Sequence, residues 1–337
     1  MISHTTRRFV VAAGAAMLLG VAALPAVAQD EAPLLYAINK SADQQYFIDL
    51  QTSFVAKAEE LGATALTANA ELDPNLGVSL VNDAISAGAK GIAITVPDQT
   101  IGPAVADAAA AAGVALVATD DNIVDSAGNP VPFVGFSGTD MGNKVGDEAA
   151  RLLTESGWLE DDAVTLGVLA TEVQSLSVCM DRTNAARQKM LDVGVPEESI
   201  FAVPYEGETQ SGQDAAGPVI TAHPDVTNWV VFACNDEGVL GTLNALQTQG
   251  VSPDNIIGVG LGAYEACKFW AADQPSGFKA ALFISGLDVG ASAAQVLYDH
   301  IVNGAELPEM TIAPTTMVDA SNYATELDEI SLANCSA

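Results

Sequence analysis

Val114-Ala115-Leu116-Val117-Ala118-Thr119-Asp120-Asp121-Asn122 sets the frame for the whole chain. A run of small and branched apolar residues, Val114 to Ala118, stops abruptly at two adjacent carboxylates, Asp120 and Asp121. An unbroken apolar run predicts a parallel strand buried on both faces, because a strand with one wet face would alternate. Open α/β sheets take their ligands beyond the carboxyl ends of such strands. The two acids therefore stand where a ligand would be read.

The same pattern continues on either side. Strand-like runs are expected at 34–39, 63–68, 91–96, 114–119 and 131–136, then at 164–170, 200–204, 229–234, 256–261 and 279–285. Amphipathic stretches long enough for helices lie between most of them, among them 46–61, 77–87, 141–156, 181–193, 237–249 and 286–302. Alternating strands and helices predict parallel sheets covered on both faces. Right-handed crossovers restrict these to doubly wound sheets. So many strands exceed one open sheet, and the expected fold is α/β with two doubly wound parallel-sheet lobes. The join falls near the small, loose stretch Gly135-Phe136-Ser137-Gly138-Thr139-Asp140-Met141-Gly142. A second irregular stretch, 308–315, precedes a short run at 316–318. Lobes joined more than once form a clamshell whose cleft lies between strand ends.

The first 28 residues carry the three parts of a secretory signal: Arg7 and Arg8, an apolar run over 9–24, and the small-residue site Ala26-Val27-Ala28. The apolar run is short for a membrane span, and no Cys follows the cleavage motif to carry a lipid. A soluble, periplasmic protein starting near Gln29 is expected. Removing those 28 residues, with two Arg and no acid, takes the net charge from −31 to −33. So acidic a chain argues against nucleic acid as a partner, since phosphates require Lys and Arg. It also suits a salty habitat, where salt screens self-repulsion. The three remaining Arg (Arg151, Arg182, Arg187) and seven Lys make any cation at a strand end a candidate for a specific role, and Lys40 is one.

Catalysis finds little support. Gly258-Val259-Gly260-Leu261-Gly262-Ala263 fits a dinucleotide fingerprint in outline. It sits late in the chain, however, and no acid closes a second strand about twenty residues on, as ribose binding needs. A tight turn into a helix at the cleft rim is the commoner meaning. His4, His223 and His300 offer no catalytic histidine, since one lies in the signal and two on predicted helices or their ends. No enzyme activity, cofactor or metal is expected. Cys179, Cys234, Cys267 and Cys335 permit three pairings in an oxidising compartment and lack zinc spacing, so they read as structural disulfides or small buried thiols.

A binding site has more support. Lys40 ends the first strand, with Gln44, Gln45 and Tyr46 opening the next helix; Thr95 and then Pro97-Asp98 follow the third. In the second half Arg182 and Thr183 lie on a helix start, Asn235 and Asp236 follow a strand, and Tyr264 and Glu265 follow the glycine turn. Acids, amides, one Lys, one Arg and aromatic rings converging on a cleft suit a sugar. Hydroxyls both donate and accept, and planar or charged groups serve them well. A ring face covers the apolar C–H side.

With these residues in view, the chain resembles the periplasmic sugar-binding proteins of ABC importers, and within them the arabinose-binding branch. The likeness spans nearly all of the chain after the signal. It is carried by Gly88-Ala89-Lys90-Gly91, Pro97-Asp98, Asp120-Asp121 with Gly128-Asn129-Pro130, Arg182-Thr183, His223-Pro224-Asp225-Val226, Asn235-Asp236 and Ile256-Ile257-Gly258-Val259-Gly260. The resemblance implies two lobes joined by a three-crossover hinge, 29–137 with 285–315 and 138–284 with 316–337, closing on one monosaccharide. By position it implies that Lys40, Asp120, Asp121, Arg182 and Asn235 hydrogen-bond the sugar. Gln44 stands for that branch's Glu, Tyr46 for its stacking Trp, Thr95 for a Cys, and Phe136 and Cys234 each for a pocket Met. Gly262 stands for an Asn that bonds a hydroxyl, and Glu265 for an Asp. A site that loses a hydroxyl partner leaves that end of the sugar unread or read by other groups. Cys179 and Cys234 would both lie near the cleft.

The implied role is a monomeric receptor that delivers an arabinose- or galactose-like aldose to a membrane permease. A sensor presenting its closed form to a chemoreceptor or kinase ectodomain shares the pocket and differs only in partner. The effector half of a sugar-responsive repressor shares the fold, but the signal segment and the lack of a basic DNA-reading element argue against it.

Overall fold

A computed structural model describes Met1 and residues 32–336; the signal expected over 1–28 lies, Met1 apart, outside the described residues. In chain order the first lobe contains β1 (Leu34–Asn39), α1 (Gln45–Glu60), β2 (Thr64–Asn69), α2 (Pro74–Ser86) and β3 (Gly91–Ile94). It continues with α3 (Gly102–Ala112), β4 (Ala115–Thr119) and β5 (Phe133–Gly135). The chain crosses at 136–137 into α4 (Gly138–Ser156), β6 (Leu166–Glu172), α5 (Ser177–Asp192), β7 (Ile200–Pro204) and α6 (Thr209–Ala222). After these come β8 (Asn228–Ala233), α7 (Asp236–Thr248), β9 (Ile256–Gly262), α8 (Ala266–Ala271) and β10 (Phe278–Ile284). It returns at Ser285 through α9 (Gly286–Asn303) to β11 (Met310–Ile312). It then crosses a third time into β12 (Thr315–Val318), α10 (Tyr323–Glu326) and α11 (Glu329–Asn334).

Two six-stranded sheets result, ordered β11-β5-β4-β3-β1-β2 and β12-β10-β9-β8-β6-β7. All pairings are parallel except β10 with β12. The expected two-lobed α/β architecture with three crossings is the observed one. β4, the run that ends in Asp120-Asp121, lies between β3 and β5 and is buried from Leu116 to Thr119, as an unbroken apolar run requires. The stretch 308–315, expected to be irregular, contains the edge strand β11.

Local chemistry fixes the crossings. The first two follow one plan, in which a strand ends and a serine caps the next helix. Ser137 Oγ accepts from Asp140 N–H at 3.2 Å, and Ser285 Oγ accepts from Asp288 N–H at 3.2 Å. Both helices stop at a glycine in the left-handed region, Gly157 (φ 72°) and Gly304 (φ 70°). α9 closes over the first sheet against α1. Gly286 and Gly290 permit that approach, because a Cβ at Gly290 would collide with the Leu50 carbonyl oxygen and Ser53 Oγ. One apolar cluster runs from this α1–α9 face through the second lobe. Another, including Ile38, Ile92, Val105 and Ile123, lies under α2 and α3. Both sheets thus present their strand ends to a shared cleft.

Candidate functional site

Between the lobes lies a cavity of about 170 Å³. It is smaller than the roughly 300–1,000 Å³ pockets that hold drug-sized ligands. Its charged wall is assembled from both lobes. Lys40, just after β1, places its Nζ 2.5 Å from Asp121 Oδ2 and 3.4 Å from Asp120 Oδ2. From the other lobe, Arg182, in the second turn of α5, donates from Nη2 to Asp120 Oδ1 at 3.2 Å and from Nη1 to the Cys234 carbonyl at 2.9 Å. Asp120 therefore spans the cleft. Its φ of 59° is what separates the two acids: the left-handed turn sends Asp120 to the cavity and leaves Asp121 fully buried behind Lys40.

Two cations and two carboxylates make this cluster neutral, and the electrostatics follow from that pairing. Burial pulls the Lys40 ammonium down, but Asp121 and Asp120 outweigh it and leave the group more firmly protonated than usual. Burial likewise disfavours ionised Asp120, yet Lys40 and Arg182 together hold its carboxyl below the ordinary range. Asp121 shares Lys40 with a like-charged neighbour, and burial wins there, pushing it up to about 6.

The remaining wall mixes polar and aromatic side chains with aliphatic ones, among them Leu72, Val173, Leu261 and Ile284. Gln44 Nε2 crosses the cleft to the Gly207 carbonyl at 3.2 Å, and Ser177 N–H reaches Gln99 Oε1 at 2.6 Å, so the lobes are closed on one another. Tyr46 offers a buried hydroxyl with no protein partner. Its ring meets Phe136 and Tyr264 at centroid distances of 6.4 Å each. Asn235 caps α7, accepting from Gly238 N–H at 2.9 Å and from the Tyr205 hydroxyl at 2.5 Å, and donating to Gly207 O at 2.9 Å. Asp236 Oδ2 accepts from Glu265 and Ala266 N–H at 2.9 and 3.2 Å, which leaves its Oδ1 without a protein partner. Burial lifts Asp236 to about 6 against those bonds, and burial with the Asp236 charge lifts Glu237 to about 8.

Of the residues singled out in the sequence, Lys40, Gln44, Tyr46, Asp120, Arg182, Cys234, Asn235 and Gly262 line the cavity. Four expected residues stand off it. Thr95 is fully buried below the strand ends, its hydroxyl 2.7 Å from that of Thr119. Asp121 holds Lys40 from behind, Phe136 backs the Tyr46 ring, and Glu265 pairs with Lys268 at 2.7 Å. Tyr264, Asp236 and Pro97, singled out beside the expected set, also line it, and residues the sequence reading did not single out include Glu206 and Gly207, Glu237, and the segment Val173, Ser175 and Leu176. Glu237 follows directly on the strand-end pair Asn235-Asp236, so the strand-end rule, carried one residue further, would have found it.

The cysteines pair as Cys179–Cys234, with Cα atoms 4.8 Å apart at the cavity wall, and Cys267–Cys335, with Cα atoms 5.2 Å apart. The glycine pattern is not a nucleotide loop. Gly258, Gly260 and Gly262 all lie within β9, where a Cβ on Gly260 would strike Asp236 Oδ1, and of the three only Gly262, its last residue, has a positive φ (133°). His223 stacks on Phe201 with centroids 4.0 Å apart, and His300 Nδ1 lies 2.7 Å from Ala305 O, both away from the cleft. Among the described residues no group of three or more His, Cys, Asp or Glu could hold a metal ion. No described helix is long and apolar enough to cross a membrane. Chemically, the cavity combines charged, amide and aromatic side chains with aliphatic ones, and three of its lining residues, Tyr46, Arg182 and Asp236, each keep a buried polar atom without a protein partner.

The chain matches the family described as "Periplasmic binding protein domain" over residues 35–306. It is 30% identical over 326 residues to the "ABC transporter L-arabinose-binding periplasmic protein" of Azospirillum brasilense, covering 95% of each chain. It is 28% identical over 257 residues to the "L-arabinose-binding periplasmic protein" of Escherichia coli (strain K12), covering 75% of this chain and 77% of that one. Among solved structures, the Caulobacter myo-inositol binding protein with bound myo-inositol superposes with a TM-score of 0.72 at 18% identity, over 86% of this chain and 94% of that one.

Proposed function

The chain belongs to the periplasmic binding protein family, a family of solute receptors and not of enzymes, and from that membership we propose that it captures one monosaccharide between its lobes for an ABC importer. The ligand is an arabinose- or galactose-like aldose, and the closed form then docks on the permease. The moving parts are 29–137 with 285–315 and 138–284 with 316–337. The protein is exported to the periplasm, with cleavage near Ala28, and works as a monomer.

One observation carries this reading. Asp120 from the first lobe and Arg182 from the second meet across a cavity whose lining keeps buried polar atoms, Tyr46 Oη and Arg182 Nε, without protein partners. Buried polar groups in folded proteins are nearly always paired, and a small polyhydroxylated solute supplies both donors and acceptors in one rigid body. Lys40, Asp120 and Arg182 give it charged hydrogen bonds. Tyr46 and Tyr264 cover its C–H face. Asp121 and Asn235 act one step back, the first by holding Lys40 and the second by fixing the α7 start and Gly207.

A thermal-shift panel of aldopentoses, aldohexoses, deoxysugars and polyols tests the proposal. A ligand that binds only the folded state adds about 2.7 kcal/mol of stability at a hundredfold excess over its Kd. A clear rise in midpoint with one aldose is the expected result. A polyol alone raising the midpoint would replace the aldose, and no rise with any member would remove the sugar reading.

A further inference from the structure

The Cys179–Cys234 bridge sits where the ligand wall needs support, and the surrounding contacts show why. α5 carries Arg182; its backbone packs closely on α4, where a Cβ on Gly142 would strike the Arg182 carbonyl, yet no side chain caps its start. Leu176 in the cap position offers no side-chain hydrogen bond, and no acid occupies the first turn. The partner of Ser177 N–H is Gln99 Oε1 of the opposite lobe, a contact that exists only while the lobes are together. The apolar packing beneath this turn is a small satellite cluster, apart from the main core, and the two cysteines are two of its six residues.

Arg182 shows the same division. One half of its guanidinium reaches across the cleft to Asp120, and the other is held by the Cys234 carbonyl and lies 3.7 Å from Cys234 Sγ. When the lobes separate, the Gln99 and Asp120 contacts go; α5 keeps its packing on α4, and what still ties its start to the end of β8 is the bridge, its cluster and the Arg182 bond to the Cys234 carbonyl. Resting on the receptor reading above, we infer that the Cys179–Cys234 disulfide is a positioning element of the ligand site, holding the α5 start and the Arg182 guanidinium in their binding geometry while the cleft is open. A group held in its bound geometry beforehand spares the ligand the ordering that would otherwise weaken binding.

The second bridge supplies the control. Cys267–Cys335 closes a loop of similar length, a separation of 68 against 55, and loop entropy grows only with the logarithm of length. Neither of its cysteines lines the cavity. The double variants Cys179→Ala/Cys234→Ala and Cys267→Ala/Cys335→Ala are compared with the wild-type protein by thermal midpoint. Calorimetric titration follows with L-arabinose, D-galactose and D-ribose. The 15N-1H spectrum of the arginine Nε groups is also recorded; the chain after the signal has three Arg, so Arg182 is readily assigned. Both variants should lose midpoint by similar amounts. Loss of Cys179–Cys234 alone should weaken binding of the sugar at least tenfold and shift or broaden the ligand-free Arg182 signal. Binding within twofold of wild type together with an unchanged Arg182 signal would overturn the inference. Should the wild-type protein bind none of the three sugars, the receptor reading for these ligands fails, and the ligand-free Arg182 signal alone decides the positioning role. Should the alanine pair not fold, Cys179→Val/Cys234→Ala fills the same apolar space and is read in the same way.

Discussion

Glu237 concentrates what single residues contribute here, because its carboxyl lines the cavity without a cation of its own to neutralise it. Burial and the Asp236 charge raise it to about 8, and burial raises Asp236 and Asp121 to about 6. A raised carboxyl means that the folded state holds its proton where the unfolded chain, titrating at about 4, has released it. The stability these groups contribute is thus whole below about pH 4 and is lost as pH climbs through 6 and then 8. Asp120, held down by Lys40 and Arg182, works in the opposite sense and loses its contribution only as pH falls below the ordinary carboxylate range. The ligand-free protein should therefore unfold at a lower midpoint at pH 8.5 than at pH 5. Glu237→Gln should flatten the limb between pH 6 and 8.5 by about 1–2 kcal/mol, a figure reduced for its partial exposure. Denaturant titrations at four pH values read both, and parallel profiles for variant and wild type would contradict this account. Asp120 and Asp121 also show the limit of legibility at this scale. The sequence places both acids at the strand end, but the left-handed φ at Asp120 decides that one lines the cavity and the other lies behind Lys40. Thr95 and Phe136 fall on the wrong side of the same division: collinear position locates a strand end, and the pleat chooses the face.

At the scale of elements, most strands were legible because the central β-runs are nearly unbroken apolar stretches closed by small or polar residues. β8 is buried throughout and β3 likewise, which is what such runs predict. β11 escaped because it has no buried run at all: Met310 and Ile312 are exposed, and a three-residue edge strand between prolines leaves no periodicity to read. The glycines of β9 fit a phosphate loop in outline, and only their place late in the chain and the missing acid argue against one in the sequence. Gly260 is small so that the buried Asp236 side chain can pack over the strand, a tertiary cause that sequence spacing cannot distinguish from a phosphate loop. Gly290 is the element-scale position on which the site most depends, since α9 rests on α1 there and the start of α1 carries Gln44 and Tyr46. Gly290→Val puts two methyl groups against the Leu50 carbonyl and Ser53 Oγ. It should lower stability by about 1–3 kcal/mol, the usual range for overpacking a tight contact. Because α1 must slide or tilt to make room, sugar affinity should fall as well. Urea unfolding and calorimetry on the same preparation measure both, and a stability within 0.5 kcal/mol of wild type, roughly the scatter of surface substitutions, would show that the α1–α9 contact yields without strain.

For the molecule as a whole the governing quantity is charge. The chain has 43 acids against 12 Lys and Arg. Among the described residues most of the cations already sit in ion pairs, including Lys57–Glu60, Lys144–Asp140, Arg151–Glu148, Arg187–Glu197 and Lys189–Asp147. The majority of carboxylates therefore have only one another for company. Salt acts on the two populations with opposite signs. It weakens the exposed pairs, each worth at most about 1 kcal/mol, and it relaxes repulsion among the many unpaired acids. The unpaired group is far the larger, so relief of repulsion should win and the folded state should gain stability with added salt. The neutral, buried Lys40–Asp120–Asp121–Arg182 cluster is shielded from solvent ions and should respond little. Raising NaCl from about 0.05 M to 1 M shortens the screening length from more than 10 Å to about 3 Å. The thermal midpoint of the ligand-free protein should rise by about 2–3 °C over that range, the equivalent of roughly 1–2 kcal/mol for a chain of this size. If the buried cluster binds the sugar as proposed, sugar affinity should change less than about threefold. A midpoint that stays flat or falls with NaCl would mean that the unpaired acids lie too far apart to repel one another appreciably. The excess charge would then be a property of solubility and encounter with partners, and would carry no weight in the fold.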